Sequence, residues 1–177
     1  YCGSESDVLD RYYKAAIKFD AEVVVRVTAD CPLFDHKVLS QMLARFDRIP
    51  LTDFPKVYLS NTRIRTYPRG LDVEIFNFSA LELAHKKANQ EFEREHVTPY
   101  MYQHPDEFMV CDFKGGENLS SYRWTLDTPE DFQFLKAVYS SLYKGGHVFS
   151  TGQVLDLLKT RPELCKLNAH VSQKNVE

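Results

Sequence analysis

The stretch EVVVRVTADCPLFD, residues 22–35, decides how the rest of the chain is read. Its first seven residues are nearly continuous β-branched sequence. That is the composition of a strand covered on both faces. The strand gives way to a single acid, Asp30, and two residues later to Pro32, whose ring stiffens the loop. Asp35 then opens a helix, HKVLSQMLARFD, with Val38, Leu39, Met42 and Phe46 on one stripe.

The same periodicities extend outward. Residues 4–19, SESDVLDRYYKAAIKF, read as a helix capped by Ser4 with Asp7 as its box partner. VYLSN (57–61) is a short strand, followed by the basic loop TRIRTYPRG (62–70). LDVEIFN (71–77) alternates as a half-buried strand does. Ser79 is placed to cap a helix through ALELAHKKA. REHVTPYMYQHP (94–105) reads as a helix that Pro99 either starts or kinks. FMVCDF (108–113) and RWTL (123–126) read as strands around a KGGEN turn. Thr128, Pro129 and Asp131 give TPEDFQFLKAVYSSLY (128–143) a strong helix start, and a last helix runs from Ser150 to about Lys159. Helices alternating with strands predict an α/β fold with a mainly parallel sheet flanked by helices, in one domain spanning 1–177.

The composition narrows the function. The 44% hydrophobic and 27% charged residues are those of an ordinary soluble globular protein. A net charge of −3 gives no basic surplus for nucleic acid or an anionic membrane. No apolar run approaches the roughly 20 residues of a membrane helix. Cys2, Cys31, Cys111 and Cys165 are too scattered for a zinc site or disulfide frame and read as reduced thiols of a cytoplasmic protein.

In an open α/β sheet, ligands bind beyond the carboxyl ends of the strands. Asp30 falls just past EVVVRVT and Asp127 just past RWTL. Two carboxylates converging there repel unless a cation or proton lies between them. Mg²⁺ suits such a pair, because it takes one or two carboxylates and completes its shell with phosphates and water. Asp30 also reads as a turn residue, and Asp127 as a neighbour of the helix cap. In YPRGLDVEIF (67–76), Gly70 permits a conformation other residues resist. Asp72 and Glu74 share one face of a strand, either as a solvated edge or as ligand-binding groups. Arg94, Glu95 and His96 sit together at a helix start, where the dipole favours a carboxylate and where His96 also reads as a core residue. Arg63, Arg65 and Arg69 read as loop residues or as holders of an anionic sugar or phosphate. These readings give a phosphate-and-metal site but no reaction.

Taken in order, GSESDVLDRYYKAA, VVVRVTADCPL, YLSNTRIRTYPRGLDVEIF, EREHVTPYMY and RWTLDTPEDF resemble the spore coat polysaccharide biosynthesis SpsF group and the acylneuraminate-type cytidylyltransferases. The likeness covers almost the whole chain. It implies a nucleotide-diphospho-sugar transferase fold, GT-A-like, with a Rossmann-like mixed sheet. It implies transfer of a nucleotidyl group from a nucleoside triphosphate, CTP above all, to a sugar in surface polysaccharide biosynthesis, with release of pyrophosphate. It implies that Asp30 and Asp127 hold Mg²⁺. It assigns Asn61, Gly70, Asp72, Glu74 and Arg94 to the sugar side, and Glu95 or His96 to deprotonation. Gly3 and Arg11 are implied to border the nucleotide. Commonly dimeric relatives make a homodimer one of the assemblies the resemblance implies.

One departure stands at the start. The chain opens YCGSESDVLDRY, without the glycine- and basic-rich loop that cradles a triphosphate in this family. The expectation is the C-terminal portion of a longer enzyme, lacking the first βαβ unit and inactive by itself, with an exposed sheet edge where that unit would lie. The alternatives are a GT-A glycosyltransferase using a nucleotide sugar and an inactive assembly module. Cys31-Pro32 after Asp30, in place of a D-x-D motif, argues against the glycosyltransferase.

Overall fold

The computed structural model describes residues 1–50, 55–146 and 148–173. Its sheet holds four short strands, β1 (Val23–Arg26), β2 (Val57–Ser60), β3 (Glu74–Asn77) and β4 (Met109–Asp112), in the order β1-β3-β2-β4. β3 pairs antiparallel with both β1 and β2, and β2 pairs parallel with β4. The sheet is therefore mixed rather than mainly parallel. The connections explain why. A loop joins β2 to β3 without a helix, which suits antiparallel neighbours, whereas α3, α4 and α5 lie between β3 and β4 in the chain and carry it back for the parallel pair.

The topology also exchanges two expectations. β1 lies at an edge of the sheet, with Val23 42% exposed, so EVVVRVT is not covered on both sides. β3 is interior, and Ile75 and Phe76 are both fully buried, so LDVEIFN is not half-exposed. The β-branched run reports strand propensity, and burial is set by place in the sheet.

Helices cover both faces. On one, α1 (Val8–Lys18), α3 (Phe78–Lys87) and α5 (Pro99–Gln103) pack Leu9, Leu81 and Met101 against Tyr58 and Phe76. On the other, α2 (His36–Phe46) sets Val38, Met42 and Phe46 against Val57, Leu59 and Ile75. The alternation of Tyr58 with Val57 and Leu59 is the period-two signature of a strand. A third cluster gathers Trp124 with Phe134, Leu135 and Val138 of α6 (Pro129–Leu142) and Val154 and Leu158 of α7 (Thr151–Thr160). Burying each such side chain contributes about 1.5–3 kcal/mol.

Several boundaries shift for local reasons. α1 starts after Asp7, whose carboxylate accepts from the Asp10 N–H, while Ser4 Oγ accepts from the Asp7 N–H one turn earlier. Asn77 rather than Ser79 caps α3; the Ser79 hydroxyl donates to the Pro55 carbonyl. The 94–105 segment is split between α4 (Glu91–His96) and α5, with Val97 at φ +74° at the break and Pro99 opening α5. RWTL forms no strand. It makes one parallel bridge, Arg69 to Arg123, and its Leu126 N–H donates to the Asp30 carbonyl at 2.9 Å. The Thr128–Asp131 capping box is found as read, and the last helix starts within one residue of Ser150, which caps it. A 3-10 turn, Pro162–Lys166, follows α7 and was not anticipated. Among the described residues no helix is long and apolar enough to cross a membrane.

Candidate active site

Beyond the carboxyl ends of β1 and β2 lies a polar cavity of about 210 Å³. Arg26 and Thr28 reach it from β1 and the loop after it, Thr62 from the end of β2, Asp72 and Glu74 from the start of β3. His96, Thr98 and Tyr102 close it from the α4–α5 break. The Asp72 and Glu74 pair and His96, nominated from two separate motifs, thus meet in one place.

Glu74 is the fixed centre of this wall. It is 6% exposed and accepts from Tyr58 Oη at 2.5 Å, Thr98 Oγ1 at 2.7 Å and Arg26 Nη1 at 2.5 Å. Burial works to lower the pKa of Arg26, but the Glu74 charge and hydrogen bond outweigh it and hold the guanidinium above its usual value. Burial first, and then the Glu74 charge, raise the Tyr58 hydroxyl well above the ordinary tyrosine range. With its oxygens so engaged, Glu74 fixes the three donors around it. Asp72 takes two parallel hydrogen bonds from Arg65, at 2.6 and 2.9 Å, and a third from the Gly70 N–H at 3.3 Å. His96 is half-buried and borders the cavity, whereas Glu95 is exposed and does not border it.

Asp30 sits in the loop after β1. Its Oδ2 accepts from Thr125 Oγ1 at 3.0 Å, and the Cys31 thiol lies 3.7 Å from Oδ1. Burial pushes the carboxyl up, but hydrogen bonds from Thr28 and Thr125 prevail and hold it below the usual range. Asp127 is exposed and accepts from Arg123 Nη2 at 2.7 Å. The backbone bond from Leu126 to Asp30 brings the two loops together one residue before Asp127. The donor chemistry is of the kind a hard divalent cation takes, two carboxylates on adjoining loops with the remaining positions left to phosphate and water, although Asp127 is also engaged by Arg123. Among the described residues no group of three or more acidic, histidine or cysteine side chains could hold a metal ion.

Other nominated residues build the frame. Asn61 is 1% exposed and its amide is used up on the backbone of residues 71 and 73, donating to the Leu71 carbonyl at 2.7 Å and accepting from the Val73 N–H at 2.9 Å. It fixes the approach to β3 and does not line the cavity. Gly70, at φ +101°, lies so close to Trp124 that a Cβ would meet its carbonyl carbon at 2.5 Å. Arg94 clasps Asp7 at 3.0 and 2.7 Å and the His85 carbonyl at 2.9 Å, joining α4 to α1 and α3 away from the cavity. Gly3 packs on Arg11, whose Cγ would lie 2.5 Å from an added Cβ, and neither residue lines the cavity.

Sequence reasoning passed over Arg26, Tyr58, Thr98 and Asp131. Arg26 had a visible signal, a cation interrupting VVVRV. Asp131 was read only as a cap; it is fully buried, accepts from Arg123 at 2.9 and 2.8 Å and from Asn168 at 2.8 Å, and also receives the Asp127 and Thr128 N–H groups. Cys31 has its thiol pushed up to about 11 by burial, which marks it as unreactive.

The match of this mixed, helix-flanked sheet to a solved cytidylyltransferase places the chain in the nucleotide-diphospho-sugar transferase fold class. The model of the family Cytidylyltransferase matches residues 2–161, and the chain belongs to that family. It is 34% identical over 177 residues to an uncharacterized protein of Methanocaldococcus jannaschii, covering 98% of this chain and 68% of that one. It is 32% identical to the spore coat polysaccharide biosynthesis protein SpsF of Bacillus subtilis, covering 91% and 65%. Among solved structures it matches a cytidylyltransferase from Leptospira borgpetersenii with a TM-score of 0.84 and 31% identity, covering 99% of this chain and 70% of that one. The chain thus spans about two-thirds of the length of these relatives.

Proposed function

We propose that this chain forms the sugar-binding part of a CTP-dependent sugar nucleotidyltransferase of surface polysaccharide biosynthesis. The observation that carries the reading is the polar cavity, where Asp72, Glu74 and His96 converge with three arginines, Arg26, Arg65 and Arg69, beyond the strand ends. Such a wall suits a hydroxyl-rich ligand, because every carboxylate in it is already oriented by a cation. The family match and the SpsF relative support the substrate class.

In this reading, Asp30 and Asp127 hold Mg²⁺, which when bound neutralises charge on the nucleotide phosphates. The sugar hydroxyl attacks the α-phosphorus in line; the new O–P bond forms as the bond to the bridging oxygen breaks, and pyrophosphate leaves. The hydroxyl proton passes to His96, which borders the cavity where Glu95 does not. Arg65 and Arg26 orient the sugar through the carboxylates they hold. Turnover is assigned to the full gene product, since the relatives are longer than this chain.

The test is a pyrophosphate-release screen of the full gene product across nucleoside triphosphates and sugars, with Mg²⁺ present and withheld. Release with CTP and one sugar, lost without the metal and reduced on the order of 100-fold or more in His96→Ala, supports the reading. No release with any pair, or full activity in His96→Ala, overturns it.

A further inference from the structure

On the other side of Arg69 from the polar cavity lies a second and larger one, of about 410 Å³, within the range of small-molecule sites. Arg69 borders both. Its half-buried guanidinium makes no ion pair or side-chain hydrogen bond among the described residues. Its acidic neighbours are committed elsewhere: Asp72 is held by Arg65 at 2.6 and 2.9 Å, and Asp127 by Arg123 at 2.7 Å. Arg65 and Arg123 also repel it, and that repulsion, after burial, lowers its pKa.

Among the lining residues Arg123 is already paired with Asp127 and Asp131, which leaves Arg69 as the cation without a partner; Ser120 and Ser121 offer hydroxyls, and no described lining residue is an aspartate or glutamate. Trp124 borders the same cavity; it is fully buried and its Nε1 has no hydrogen-bond partner among the described residues. The indole N–H is closed off from the cavity, so the donor that faces it is the Arg69 guanidinium, and an unpaired half-buried arginine calls for an acceptor bearing negative charge.

We propose that this second cavity is a binding site for a small oxyanion, a phosphoryl or carboxylate group, with Arg69 as its charged ligand. The site is separate from the sugar cavity, and its test does not depend on nucleotidyl transfer. Trp124 is the single tryptophan of the chain, so its indole ¹H–¹⁵N resonance is an unambiguous reporter. The chain is titrated with inorganic phosphate and, separately, with acetate, against sodium chloride at matched ionic strength. Saturable movement of the indole signal with phosphate or acetate but not chloride is expected, and which anion saturates separates a phosphoryl from a carboxylate ligand. Arg69→Met, which breaks no ion pair, is expected to weaken binding at least about tenfold, as loss of a charge-assisted hydrogen bond does. Ala169→Phe, at an exposed lining position, is expected to block it. Movement indistinguishable from chloride, or unchanged binding in Arg69→Met, overturns the proposal. Loss in Arg69→Met with full binding in Ala169→Phe moves the anion to the polar cavity and equally overturns it.

Discussion

Asp127 and Asp131 draw on the same nitrogen, Nη2 of Arg123, at 2.7 and 2.8 Å, yet they occupy opposite environments. Asp131 is fully buried and meets five donors. The side chain of Asp127 is 40% exposed. One guanidinium therefore ties a structural carboxylate to one that remains available, four residues apart.

That difference separates the two variants. Asp131→Ala strips the buried side of Arg123 of its partner and leaves the Asp127 and Thr128 N–H groups unmatched, a loss of about 3–5 kcal/mol. Asp127→Ala removes an exposed pair and costs at most about 1 kcal/mol. In the full gene product, Asp127→Ala and Asp30→Asn are nonetheless expected to reduce pyrophosphate release on the order of 100-fold. Urea unfolding and a release assay on the same variants check both halves. Equal destabilisation by the two alanines contradicts the division.

Asp131 also sets an acid limit. Burial raises its pKa, but hydrogen bonds from Arg123, Asn168 and the backbone prevail and bring it to about 2. An unfolded aspartate titrates near 3.9, so the folded value is depressed. The stabilisation is complete above about pH 4 and is lost as the pH falls towards about 2. It amounts to roughly 2 kcal/mol. Asp131→Asn is expected to flatten this part of the stability-versus-pH curve in urea titrations. An unchanged acid slope rules out Asp131 as its source.

Gly70 offers a test of the frame between the two cavities. At φ +101° a side chain is strained, and a Cβ would press on the Trp124 carbonyl carbon and oxygen at 2.5 and 2.6 Å. Backbone atoms cannot swing aside as a side chain can. Gly70→Ala is expected to cost roughly 2–4 kcal/mol and to shift the Trp124 emission. A melting temperature within about 1 °C of the parent, with unchanged emission, removes the contact from consideration.

The elements legible in the sequence were those with local causes. The Thr128–Asp131 box, the helix starts at Asp35 and Ser150 and the Pro99 break depend on residues within one turn, and each was found in place. The strand environments of 22–28 and 71–77 were read the wrong way round, because the edge or centre of a sheet is decided by pairing partners far along the chain. At the cavity, Asp72, Glu74 and His96, which the structure brings to one wall, were nominated by residue type and then by the family resemblance. Arg26, Tyr58 and Thr98 were not, because their role exists only once β1, β2 and the α4–α5 break meet around Glu74. Asn61 and Arg94 show the converse. A polar residue inside a motif can be spent wholly on the backbone or on helix packing.

The Glu74 cluster permits the sharpest of these experiments. Arg26 and Glu74 are both largely buried, with side-chain exposures of 19% and 8%. Removing one partner of such a pair leaves a charge without compensation, so Glu74→Ala is expected to cost about 3–5 kcal/mol. Tyr58→Phe removes one donor and leaves two, and is expected to cost about 1 kcal/mol. The double variant Glu74→Leu with Arg26→Met takes both charges away and fills their volume. Buried ion pairs replaced in this manner are often neutral in stability, so most of the loss in Glu74→Ala should return. Sugar binding by the full gene product should not return with it, because the restored wall is apolar. Urea unfolding reads the first outcome and equilibrium sugar binding the second. A double variant no more stable than Glu74→Ala shows that the unpaired Arg26 is not the cause of the loss. A double variant that binds sugar like the parent shows that the cluster does not orient the ligand.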